Sequence, residues 1–124
     1  MAELDLQDKL DAAPLVARLL EKSRAGKLSW EPTADRRAFV TSVAGEMTFK
    51  VYLVTVTDVG DFGQPETVDV PRLDMLDEKG KVLWDIGQKD VKGPALTELY
   101  QTARRIANRL DERVTTAMSV LDKL

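Results

Sequence analysis

A chain of 124 residues with net charge −3, 44% hydrophobic and 31% charged, has the size and balance of one globular domain that buries its own core. It contains no cysteine and no histidine, which excludes disulfides, thiolate nucleophiles and Cys-based zinc sites, and removes the commonest general base and transition-metal ligand. The mild acidity argues against a nucleic-acid binder that works through bulk positive charge, and no run approaches the roughly 20 apolar residues of a membrane span.

Residues 1–11 read as a loosely packed N-terminal segment, with Leu4, Leu6 and Leu10 set among acids. The start is acidic and has no apolar stretch of signal-peptide length, so a cytoplasmic protein is expected. A helix follows from about Ala12 to Ala25, with Asp11 as N-cap and Leu15, Val16, Leu19 and Leu20 as its buried stripe. Lys22 and Arg24 suit its C-terminal end, and Gly26 suits the position just beyond. Leu28 and Trp30 alternate as a short strand would, Pro32 stops it, and Thr33-Ala34-Asp35 has turn chemistry.

From Arg36 the apolar period shortens to two. Phe39, Thr41 and Val43 alternate with Val40 and Ser42, and Gly45-Glu46 marks a hairpin. Thr48 to Thr57 is the strongest strand: Phe49, Val51, Leu53 and Thr55 on one face, Lys50, Tyr52, Val54 and Val56 on the other. Asp58 to Thr67 reads as the longest irregular stretch, with Gly60, Gly63 and Pro65. Strand character resumes over Val68 to Leu76, where Pro71 calls for an edge or a bulge. Asp77 to Gly80 is a turn, and Lys81 to Ile86 the last strand, with Val82, Trp84 and Ile86 on one face.

Pro94 to Leu124 reads as one long amphipathic helix. Leu96, Leu99, Tyr100, Ala103, Ile106, Ala107, Leu110, Val114, Ala117, Met118 and Leu121 fall within an arc of about 120°. Gly93 and Pro94 mark its start, and no later Gly or Pro interrupts it. The fold class is therefore α+β, a single domain over 1–124: an N-terminal helix, a four- to five-stranded antiparallel meander, and a long C-terminal helix packed on the sheet. A helix of about 30 residues is about 45 Å long, whereas the strands reach only about 20 Å. The final part, Val114, Met118 and Leu121, must therefore find cover. The simpler solution packs it on the N-terminal helix; the other is a second copy or a partner protein.

The chain resembles a set of small bacterial single-domain proteins of no known activity. The shared pattern is a leucine-rich helix (Leu19-Leu20-Glu21-Lys22), a turn with a tryptophan (Gly26-Lys27-Leu28-Ser29-Trp30-Glu31), an acid-and-glycine turn (Asp77 to Gly80), and a closing helix with Leu99-Tyr100 and Ala103-Arg104-Arg105. The resemblance implies a bacterial or phage-borne α+β domain and brings no catalytic residues.

The chemical motifs read mostly as structure. Asp61-Phe62-Gly63 matches a kinase signature by three letters, in a chain too short for a kinase and lacking its other motifs. Asp58, Asp61, Glu66 and Asp69 do not keep EF-hand spacing and read as a solvated loop. Asp74, Asp77 and Glu78 sit at a strand end and turn, where acids are routinely solvated. Arg105, Arg109 and Arg113 follow at four-residue steps, but Glu98, Asp111 and Glu112 interleave and blunt the field. The composition thus points to a protein that is not an enzyme and takes no cofactor or metal. We read it as a protein-interaction or accessory module, binding a protein partner or a second copy of itself, with Val114, Met118, Leu121, Arg105 and Arg109 as interaction residues. One alternative is a small anionic-ligand sensor, with Arg36, Arg37 or the helical arginines meeting the charge and Trp30 or Trp84 stacking. Another is an immunity-type toxin inhibitor.

Overall fold

The first helix starts where Asp11 lends a side-chain oxygen to the Ala13 amide, 3.0 Å away, satisfying one of the orphan donors of a helix N-terminus. The structure is a computed structural model that describes residues 11–124; Leu4, Leu6 and Leu10, read above as part of a loose segment, lie outside them. Helix α1 spans Ala12–Arg24. It closes with a paired cap, Gly26 N–H to Ser23 O and Lys27 N–H to Lys22 O, which requires Gly26 at φ +73°. Val16, Leu19 and Leu20 are buried as their spacing predicts.

Five strands then form one antiparallel sheet in sequence order: β1 (Glu31–Pro32), β2 (Ala38–Val43), β3 (Met47–Val59), β4 (Pro65–Leu76) and β5 (Val82–Ile86). The β2–β3 turn holds Ala44 and Gly45 both at positive φ, as a tight hairpin demands, with Glu46 N–H bonded to Val43 O. At the β4–β5 turn Asp77 Oδ1 accepts from the Lys79 and Lys81 amides at 2.9 and 2.8 Å, the local bonding that makes aspartate a turn residue.

The register assembles the core row by row. Phe39, Val51, Leu73 and Ile86 lie side by side across four strands, and Thr41, Phe49, Met75 and Trp84 form the next row. Helix α2 (Ala95–Ala107) covers this face with Leu96, Leu99, Tyr100 and Ala103, and α1 packs beside it. The ring of Tyr100 meets Phe39 at 5.7 Å and 55°, a tilted aromatic pair. Burial raises the pKa of the Tyr100 hydroxyl, the largest cause, against a lowering pull from Arg104 and Arg37.

Two expectations change. The stretch 58–67, read as irregular throughout, is half strand: β3 and β4 stay paired from Thr48↔Leu76 out to Val59↔Pro65, leaving 60–64 as the turn. Prolines and acids there signal a loop because they disfavour a buried sheet. Past Val54↔Val70, however, the ribbon has neither β2 nor β5 beside it, so its outer edges need no partner for those residues. Pro71 fits for the same reason, since β5 reaches only as far as Leu73 and no ladder bond is asked of the missing N–H.

The second change is the C-terminal helix, which is two helices. Arg109 adopts the left-handed conformation (φ 52°, ψ 43°), and α3 (Leu110–Asp122) sets off in a new direction. Nothing in the side-chain pattern marks this break, because the apolar stripe runs through it. At this break the chain leaves the core: α2 buries four residues against it and α3 buries none.

Candidate functional site

Helix α3 carries the residues singled out for interaction. It buries none of its thirteen residues. Val114, Met118 and Leu121 are 52%, 56% and 61% exposed, so the simpler expectation, that they pack on the N-terminal helix, does not hold: α1 packs against α2 instead. The break that frees α3 also rearranges the arginines. Arg105 turns across it to Asp111 at 2.8 Å, an exposed ion pair worth little in stability. Arg109 occupies the left-handed junction, so Arg105, Arg109 and Arg113 do not form one continuous basic face.

The same junction opens a cleft of about 440 Å³ between the β1–β2 turn and the α2–α3 corner. Arg36, Arg104 and Arg113 line it, with Asp35 as the single acid; Pro32, Phe39 and Leu110 supply apolar wall. Arg37, the other candidate cation of that turn, is engaged elsewhere: it pairs with Asp69 at 2.7 Å and donates to Thr55 Oγ1 at 2.9 Å. Thr55 also donates to Asp69 at 2.7 Å, and these bonds, with the Arg37 charge, hold the Asp69 carboxyl below its ordinary value.

The sheet face away from the helices carries a polar group that sequence reasoning missed. Lys50, Asp74 and Asp85 are cross-strand neighbours, as are Tyr52 and Arg72. Arg72 bonds Asp85 through Nη2 at 2.7 Å and Nε at 3.2 Å, while the Tyr52 hydroxyl donates to Asp74 at 3.2 Å. Burial and the neighbouring Asp85 charge raise the pKa of Asp74; burial, then Asp74 and Asp85, raise that of Tyr52. The ammonium of Lys50 sits 5.3 Å from the Tyr52 ring centre. Asp77 and Glu78, read with Asp74 as acids of a strand end and turn, do lie at the turn, whereas the carboxylate beside Asp74 is Asp85, from across the β4–β5 ladder. Only strand register could have revealed it. Each charge here has an opposite or hydrogen-bonding neighbour on an open face, the arrangement of a satisfied polar sheet surface.

The tryptophans differ from a stacking platform. Trp30 is 2% exposed, and its indole N–H donates to Ser23 Oγ at 2.8 Å while Ser23 donates onward to Leu19 O at 2.7 Å. Trp84 packs partly buried against the core. Among the described residues no group of acids, histidines or cysteines is placed to hold a metal ion, and no helix is long and apolar enough to cross a membrane. Asp61, Phe62 and Gly63 form the tip of the β3–β4 ribbon, where Phe62 is 92% exposed. Comparison with protein-family models, with curated proteins and with solved structures yields no match to this chain.

Proposed function

We propose that this is a non-catalytic protein-interaction module whose binding element is α3, acting in the cytoplasm, with a second copy of the chain as the simplest partner. The observation that carries this reading is a thirteen-residue helix that buries nothing yet repeats apolar side chains along one side. Leu110, Val114, Ala117 and Leu121 recur at alternating four- and three-residue steps, the spacing of a two-helix seam, with Met118 beside them. Their exposed surface is on the order of several hundred Å², the size at which an apolar patch on a monomer marks a contact site. Isolated helices of this length are marginal in water, so α3 gains most from being covered.

Light scattering over a range of concentrations tests it, with the double variant Val114→Asp/Leu121→Asp alongside. The expected result is self-association in the parent chain and its loss in the variant, with the melting transition of the domain preserved. A parent chain that stays monomeric, and whose α3 captures no protein that the variant fails to capture, would overturn the reading.

A further inference from the structure

The cleft at the helix break gathers arginines in a chain whose overall charge has the opposite sign. The chain is net negative at −3. Yet three arginines and one aspartate line this concavity. Arg36, Arg104 and Arg113 are exposed, and their guanidinium groups make no ion pair or side-chain hydrogen bond among the described residues. Of the molecule's other arginines, Arg24 is paired with Glu98, Arg37 with Asp69, Arg72 with Asp85 and Arg105 with Asp111, while Arg109 at the helix junction is also without an ion pair among the described residues. Arg18 lies against Glu21. Three unsatisfied forks left around one hollow, in a chain with more acids than bases, are a concentrated positive field.

At the C-terminal end of α2, Arg104 O accepts from Asn108 N–H and Ile106 O from Arg109 N–H. The left-handed Arg109 swings the N-terminus of α3 to the same corner, where Leu110 and Arg113 enter the lining. The side chain of Asn108 supplies a neutral donor. Three planar forks suit tetrahedral oxyanions, which they meet two bonds at a time. The apolar wall of Pro32, Phe39 and Leu110 suits an organic remainder, and about 440 Å³ is within the range of small-molecule sites.

We propose that this cleft is a binding site for a small phosphate-bearing anion, held by Arg36, Arg104 and Arg113. All three arginines belong to one copy, so the site needs no second chain to complete it, although Leu110 of its wall also belongs to the seam proposed for self-association. The test uses pyrophosphate as probe. Thermal melts are recorded against sodium chloride at equal ionic strength, and binding is read directly by calorimetry. A bound anion stabilises the folded chain by mass action, giving a saturable rise in Tm beyond that of salt. Arg36→Gln, Arg104→Gln and Arg113→Gln should each weaken binding about tenfold or more, as loss of a charge-assisted pair does. Arg18→Gln, remote and already facing Glu21, should change nothing. Arg113→Lys, which keeps the charge and loses the fork, should fall between; it also guards against a neutral variant that fails to fold. A Tm rise no larger than that of sodium chloride, or equal binding by parent and all three neutral variants, would overturn the proposal.

Discussion

Replacing Ser23 by alanine probes how firmly Trp30 is committed to the interior. Ser23 and Trp30 are each 2% exposed, and among the described residues the indole N–H finds its acceptor in Ser23 Oγ at 2.8 Å. The Ser23→Ala variant removes that acceptor and leaves the donor in a dry site. Leu19 O, which receives the serine hydroxyl at 2.7 Å, sits within α1 and keeps its helical setting. The cost is then mainly one buried unsatisfied N–H, about 1–3 kcal/mol. For a chain between the size classes with measured scaling, that lowers Tm by about 4–12 °C. Urea unfolding followed by far-UV circular dichroism reads the loss, and the Trp30→Phe variant with the double variant completes a cycle. Once the indole N–H is gone, Ser23→Ala should cost little, so the coupling should be about 1 kcal/mol or more. A Ser23→Ala loss below about 0.5 kcal/mol, the range of inert surface substitutions, or strict additivity in the cycle, would refute the assignment and return Trp30 to the list of ligand-facing aromatics.

Leu99, fully buried on the sheet-facing side of α2, should cost about 2–5 kcal/mol on replacement by alanine, read as a lower urea midpoint. Phe62→Ser at the exposed ribbon tip should leave the midpoint within about 0.5 kcal/mol of the parent. The raised pKa of Asp74 makes the folded state bind a proton more readily than the unfolded chain. Its charge therefore costs stability at neutral pH, and that cost is relieved as pH falls through its folded pKa toward the ordinary value of 3.8. Asp74→Asn should be more stable than the parent at neutral pH, with the difference shrinking across that window in urea melts at successive pH. Asp69 has the opposite sign: its lowered pKa gives stability present above 3.8 and lost as pH falls below it, so Asp69→Asn should narrow the gap to the parent in acid.

Local chemistry carried most of the architecture. Asp11, Gly26, Asp77 and Gly80 announce their caps and turns because each satisfies backbone groups within a few residues of itself. The two-residue period of Phe49, Val51 and Leu53 announces a half-covered strand because one sheet face meets the helices. What stayed hidden depends on distance along the chain. The pairing of Asp74 with Asp85 needs strand register, and the cleft of Arg36, Arg104 and Arg113 needs the β1–β2 turn set against the α2–α3 corner. The break at Arg109 was invisible for another reason: apolar periodicity reports which side of a helix is greasy, and that side does not change when the axis bends. The exposure of Val114, Met118 and Leu121 follows from that bend, although their shared side was plain from spacing alone.

The outer ribbon gives the molecule two tiers of cooperativity. From Val54↔Val70 to Val59↔Pro65 its rungs are held by two strands alone, with an Arg37–Asp69–Thr55 clasp near the base. Loosening those rungs exposes little that is apolar and leaves the rows beneath α2 intact. Amide protons there should exchange through local openings whose free energy is small and insensitive to mutations such as Leu99→Ala, while those of the Phe39–Val51–Leu73–Ile86 row should exchange only with global unfolding.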